Sequence, residues 1–326
     1  MNGMTSSLNG KLALRQPPRT WTRQAAEQLL EAGSPASEDV LRILMADPLA
    51  AVGILKRANE YFYGMRGSVG SLTHAVEILG EASVLRQLTH IPASVSASEE
   101  SPAQRALIRH ASVTAHISHR LANGRWLDDP GSPYNPGLVA TTGLLHNIGR
   151  LAFCISLPTE SESLYGFGST PFPIEGPLSE LEQLQFGLDH AELGAFMLHH
   201  LQFPEEMVES IQRHRCGPPS EAPMHRSRLA WITGAACLLA EEAGYGLDAQ
   251  VSFHHRDLDR TFDDYDREAS LQPGELDRIR AELRDRTELV TYEKPSVRRT
   301  TAFSDRDAIR HSRTAPTTDS SVEHAY

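Results

Sequence analysis

Cysteine is scarce in this chain. There are 3 in 326 residues, Cys154, Cys216 and Cys237, widely spaced and without a CxxC pair. All three sit in apolar helical contexts, which predicts reduced core thiols in a cytosolic protein rather than a disulfide framework. Lysine is almost absent, and Arg supplies most of the positive charge. With 31 basic against 42 acidic residues, the net charge is −11. No Lys/Arg cluster offsets it, so there is no electrostatic case for DNA, RNA or an anionic lipid surface. Met1 to Arg15 has no apolar core of signal-peptide length. The longest apolar run, Leu229 to Ala240, is too short to span a bilayer. These absences predict a soluble, cytoplasmic protein. Also missing are a Gly-rich phosphate loop, a nucleophile elbow, an internal repeat and any convincing strand pattern. What remains is all-α.

Helical patterns begin at Trp21, after a polar arm (residues 1–18) that ends in Pro-Pro and reads as disordered. Ser37 is placed to cap a helix over Glu38 to Ala46, and Asp47-Pro48 restarts the next with a capping Asp and a Pro in the first turn. Ser101-Pro102 opens a long helix to Ala122. Gly137 to Leu157 is apolar all round and predicts one central buried helix. Asp189 and Glu192 have capping-box spacing at the start of a helix over His190 to Leu201, and a further helix runs from Pro204 to Arg215.

Pro218 to Pro223 marks a boundary. A helical extension (residues 224–292) follows, and a disordered tail (residues 293–326) ends the chain. From Asp248 to Glu288 there are 12 acidic and 7 basic residues, and Leu276, Ile279 and Leu283 form a narrow apolar stripe. That polar face is not basic, so the stripe suits docking on the main domain, on a partner, or on a second copy through the C-terminal helices, and not on a membrane.

Four histidines stand at the inward positions of successive helices. His110 shares a stripe with Leu107, Ala111, Thr114, Ile117 and Leu121. His146 lies between Gly143 and Gly149, which allow close backbone approach. His190 begins a helix, and His214 continues the line of Met207 and Ile211. A lone His on an apolar face is usually a hydrogen-bonded core residue. Four together predict helices that meet around one polar site, as metal-binding bundles do. His146 is followed by Asn147, whose amide carbonyl is neutral. A carboxylate there would bind a cation more strongly.

Several separated motifs then resemble the HDOD family, the HD-related output domains of bacterial signalling proteins, from about Thr20 to Cys216. They are Asp47-Pro48-Leu49 through Ala58-Asn59, Ser71 through Gly80, Gly143-Leu144-Leu145-His146-Asn147-Ile148-Gly149, and Glu182 through Gly187 with His190, Glu192, Gly194 and Pro204. The resemblance implies a multi-helical bundle like that of HD phosphohydrolases, with His110, His146, His190 and His214 at metal-ligand positions. Two departures go with it: Asn147 replaces the HD aspartate, and Arg215 follows His214 where a second His would stand. The implied function is a non-catalytic regulatory module that acts through binding a signalling protein in trans or a small ligand. Alternatives are a reduced metal-dependent phosphohydrolase and a cyclic-dinucleotide binder using Arg150 and Arg215. No cofactor is expected, although three or four His could hold one divalent ion. Asn59 is expected to bridge two N-terminal helices rather than touch a ligand.

Overall fold

The computed structural model describes residues 19–61, 67–90, 100–122, 135–165, 178–214, 224–247, 277–279 and 281. The predicted arm, the tail, Arg215, Cys216 and most of the stretch after Asp248 lie outside the described residues. Within them every regular element is helical. Helices α1 (Thr20–Glu31), α2 (Ser37–Met45), α3 (Pro48–Tyr61), α4 (Leu72–Leu79) and α5 (Glu81–His90) pack into an N-terminal group, with α1 against α5 and α2 and α3 against α4. The second group comprises α6 (Pro102–Ala122), α7 (Pro136–Leu145), α8 (Ile148–Ser156), α9 (Pro158–Tyr165), α10 (Leu178–Phe186), α11 (His190–His200), α12 (Glu205–Arg213) and α13 (Met224–Ala240). A π-turn over Glu241–Tyr245 follows α13. The tightest packing is α6 on α7; α13 then lies on α6 and α12, and α11 on α8 and α12. Contacts of α4 with α7, and of α3 with α6 and α7, join the two groups.

Local chemistry explains the joints. Asp47 is fully buried, and its Oδ1 accepts the backbone N–H groups of Leu49 and Ala50 at 3.2 and 3.0 Å. Its Oδ2 takes the Thr22 hydroxyl at 2.6 Å and the Arg19 N–H at 3.2 Å. One carboxylate thus caps α3 and anchors the start of α1. Asn59 has a structural role, but it ties its own helix to the segment before α4 rather than bridging two helices. Its amide donates to Leu55 O and Val69 O at 3.0 and 2.9 Å, and its carbonyl accepts Val69 N–H at 3.0 Å, pinning the chain that leads into α4. Arg19 and Glu100, a forked pair at 2.5 and 2.7 Å, tie the entrance of α1 to that of α6.

Three boundaries differ from the sequence reading. Ser37 is the first residue of α2 rather than its cap, because Ala36 is the extended residue; the Ser37 hydroxyl donates to Glu81 instead. Helix α12 ends at Arg213, with His214 as its C-cap. The third is the most consequential. The single central helix read over Gly137 to Leu157 is two helices, broken at His146-Asn147. Asn147 leaves helical geometry (φ −102°, ψ 19°), and its carbonyl starts α8 by accepting from Arg150 and Leu151. The break turns α8 onto α11. At Gly149 a Cβ would collide with the His190 carbonyl oxygen, so only glycine permits this crossing. The segment Pro136–Ser156 is long and apolar enough to cross a membrane by composition, yet 94% of its apolar window is buried inside the domain.

Candidate functional site

The four predicted histidines come together. Each is at most 2% exposed, and they arrive on α6 (His110), the α7–α8 break (His146), the start of α11 (His190) and the end of α12 (His214). The rings form a file. Centroids are 5.1 Å apart for His110 and His146, 5.2 Å for His146 and His214, and 5.4 Å for His214 and His190.

In every ring Nδ1 faces an oxygen that can only accept. His110 Nδ1 lies 3.0 Å from Tyr245 O, His146 Nδ1 2.7 Å from Gly143 O, and His214 Nδ1 2.6 Å from Ile211 O. His190 Nδ1 lies 2.5 Å from Glu182 Oε2. Each Nδ1 therefore carries a proton and donates it. In a neutral ring, Nε2 is then the lone-pair nitrogen. For His110 and His146 the two Nε2 atoms face each other at 3.1 Å.

Glu182 is the buttress of the cluster, and the sequence reading included it only as a motif letter. It is fully buried and accepts from Arg150 Nε at 2.7 Å, Tyr165 Oη at 3.1 Å, the His190 backbone N–H at 2.9 Å and His190 Nδ1. Burial pushes its carboxyl up, but the charges and hydrogen bonds of Arg150 and His190 outweigh that and hold it well below the usual carboxylate range. The Tyr165 hydroxyl is pushed strongly up, first by burial and then by the Glu182 charge. Phe153 stacks on Phe186, centroids 4.2 Å apart, and the Phe186 ring lies 6.4 Å from that of Tyr165.

Arg150, a candidate ligand contact from sequence, is 2% exposed and engaged with Glu182. Arg215 lies outside the described residues. Asn147 is also buried at 2%, and neither its side-chain Nδ2 nor its Oδ1 finds a hydrogen-bond partner among the described residues. Sequence reasoning missed Glu182, Tyr165 and Cys237 as neighbours of the histidines. The Cys237 sulfur, on α13, lies 3.5 Å from His110 Nε2. The only available signal was the Glu182–His190 spacing, which places both at the α10–α11 corner.

A family model for the HDOD domain matches residues 17–216. The chain belongs to the HDOD family. No curated protein matches it. Among solved structures, this HDOD chain resembles the MmoQ response regulator of Methylococcus capsulatus str. Bath, with a TM-score of 0.61, 23% identity, and coverage of 81% of this chain and 96% of that one. It also resembles a virulence factor of Campylobacter jejuni subsp. jejuni, with a TM-score of 0.58, 20% identity, and coverage of 74% and 84%. At these identities the likeness concerns the fold.

The sequence resemblance to HD phosphohydrolases would imply a two-metal centre at these histidines, and the residues of this HDOD domain do not fit one. Such a centre needs a bridging carboxylate beside the histidines. Asn147 offers a neutral amide at that position. The carboxylate bonded into the cluster, Glu182, is taken up by Arg150, Tyr165 and His190.

Proposed function

We propose that this HDOD chain is a non-catalytic signalling module that acts in trans on a protein partner. The observation that carries the reading is Asn147: a buried neutral amide, without a hydrogen-bond partner among the described residues, where a hydrolase of this lineage would present a metal-bridging carboxylate. Glu182 supports it, because that carboxylate is already held by Arg150, Tyr165 and His190. MmoQ, which shares the fold, is described as a response regulator, a role of the same class. The cyclic-dinucleotide alternative draws less support. Its described arginine is held in a buried ion pair, and all four rings are shielded from solvent. A nucleotide would have to unpack the cluster to reach them.

The test is turnover. Full-length protein is incubated with Mn²⁺ or Fe²⁺ and a panel containing bis-p-nitrophenyl phosphate and cyclic dinucleotides, beside His146→Ala. The expected result is hydrolysis no faster than metal and buffer alone. Turnover by the wild type that disappears in His146→Ala would overturn the proposal.

A further inference from the structure

We infer that His110, His146 and Cys237 form a binding site for one borderline-soft divalent transition ion of the Zn²⁺ or Co²⁺ class. The argument begins with protons. Both Nδ1 atoms are committed as donors to backbone carbonyls, Tyr245 O at 3.0 Å and Gly143 O at 2.7 Å. The two Nε2 atoms face each other at 3.1 Å in a buried setting, with Thr114 Oγ1 3.5 Å from that of His110, so both rings turn the nitrogen that can ligate a cation towards one point. A metal-ligating imidazole ordinarily donates its other N–H to a carbonyl or carboxylate, and both rings are already oriented that way.

The third donor completes the set. The Cys237 sulfur lies 3.5 Å from His110 Nε2, and the three ligand atoms all fall within 4.8 Å of one another. Tetrahedral zinc, with bonds of about 2.0 Å to nitrogen and 2.3 Å to sulfur, separates two nitrogens by about 3.3 Å and nitrogen from sulfur by about 3.6 Å. The two shorter separations, 3.1 and 3.5 Å, already match these values, and the third lies within 4.8 Å. Two imidazoles and a thiolate select a borderline-soft ion over Mg²⁺ or Ca²⁺. The Cys237 thiol donates to Glu241 Oε1 at 3.8 Å, a contact that metal ligation would replace. The fourth position is left to water or an anion. Binding releases the Cys237 thiol proton together with any proton held between the two Nε2 atoms.

This set differs from the four-histidine centre implied by the HD resemblance: it uses two of those rings and recruits α13. Cys237 and Tyr245 both lie beyond residue 216, where the family match ends. An ion here would clasp the following helix to the core of the domain. The site stands apart from the non-catalytic reading. Phosphodiester turnover would sink that reading alone, and failure to bind metal would sink this one alone.

The experiment uses the full chain, stripped with chelator and titrated with Co²⁺. The wild type should take up one ion and show the near-ultraviolet sulfur-to-cobalt charge-transfer band. Cys237→Ser should lose the band and bind on the order of 100-fold more weakly. The double variant Cys154→Ser/Cys216→Ser should keep it. Should a variant fail to fold, X-ray absorption on the zinc-loaded wild type decides, with a sulfur scatterer expected at about 2.3 Å. Less than about 0.1 ion per chain at micromolar metal, a nitrogen/oxygen-only shell, or an unchanged band in Cys237→Ser would each overturn the site.

Discussion

Glu182→Gln isolates the buried ionic network with the smallest change of shape. The wild-type carboxylate, fully buried, neutralises Arg150, itself 2% exposed, and accepts four hydrogen bonds. Gln keeps the volume and one acceptor oxygen but removes the charge. The guanidinium is then buried without a counter-ion, and one oxygen's worth of donors loses its acceptor. Breaking one side of a buried pair costs about 3–5 kcal/mol. At an m-value of about 2 kcal/mol/M the urea midpoint should fall by about 2 M, with the protein still folded in water. Circular dichroism at 222 nm during urea titration reads this directly. Adding Arg150→Met to Glu182→Gln should recover part of the loss, because the stranded charge is gone. A midpoint shift below about 0.5 M for Glu182→Gln would refute the reasoning, since the pair would then be contributing no more than a surface salt bridge.

Acid should expose the same group. Because the folded carboxyl of Glu182 is held below its ordinary value of 4.5, its stabilisation is complete above that pH and is lost as the pH falls from 4.5 towards the depressed folded value. The stability gap between wild type and Glu182→Gln should therefore narrow over that window; a constant gap would contradict the assignment. Gly149→Ala should lower the thermal midpoint strongly, since its methyl has to displace the His190 backbone, whereas Gly53→Ala, with open space around it, should be neutral or stabilising. Asn59→Ala should cost about 1–3 kcal/mol by leaving the Val69 N–H and carbonyl unpaired, read as a lower urea midpoint. Cys154, buried and with its thiol pushed up to about 12 chiefly by burial, should resist iodoacetamide at pH 8 until the chain unfolds; peptide mapping after alkylation measures this.

Local rules carried the sequence reading where partners lie within one turn. The Asp189–Glu192 capping box forms as its spacing indicates. The Leu107–Leu121 stripe buries His110, because a 21-residue helix leaves little doubt about its period. Asp47 caps as expected, although its bonds to Arg19 and Thr22 are tertiary and leave no trace in spacing. The same limit explains Glu182 and Cys237. Their significance comes from residues 32 and 127 positions away, and a buried carboxylate or thiol looks alike in sequence whether it is a bystander or a neighbour of the site. The break at Asn147 was hidden for another reason. Hydrophobic periodicity is uninformative where every face is apolar, so neither the end of α7 nor the turn into α8 registers.

That uniformly apolar segment has a consequence during synthesis. Residues 136–156 emerge from the ribosome before α11, α12 and α13, which cover much of their surface. For that interval the chain displays a stretch with the length and greasiness of a bilayer span. At roughly 5–20 residues per second, the last of these covering helices is about 5–20 s away. The interruption at His146-Asn147, two polar residues in the middle of the stretch, makes it a poorer substrate for insertion machinery than an unbroken helix would be. The same dipeptide that shapes the histidine cluster thus also lowers the apolarity of the nascent segment.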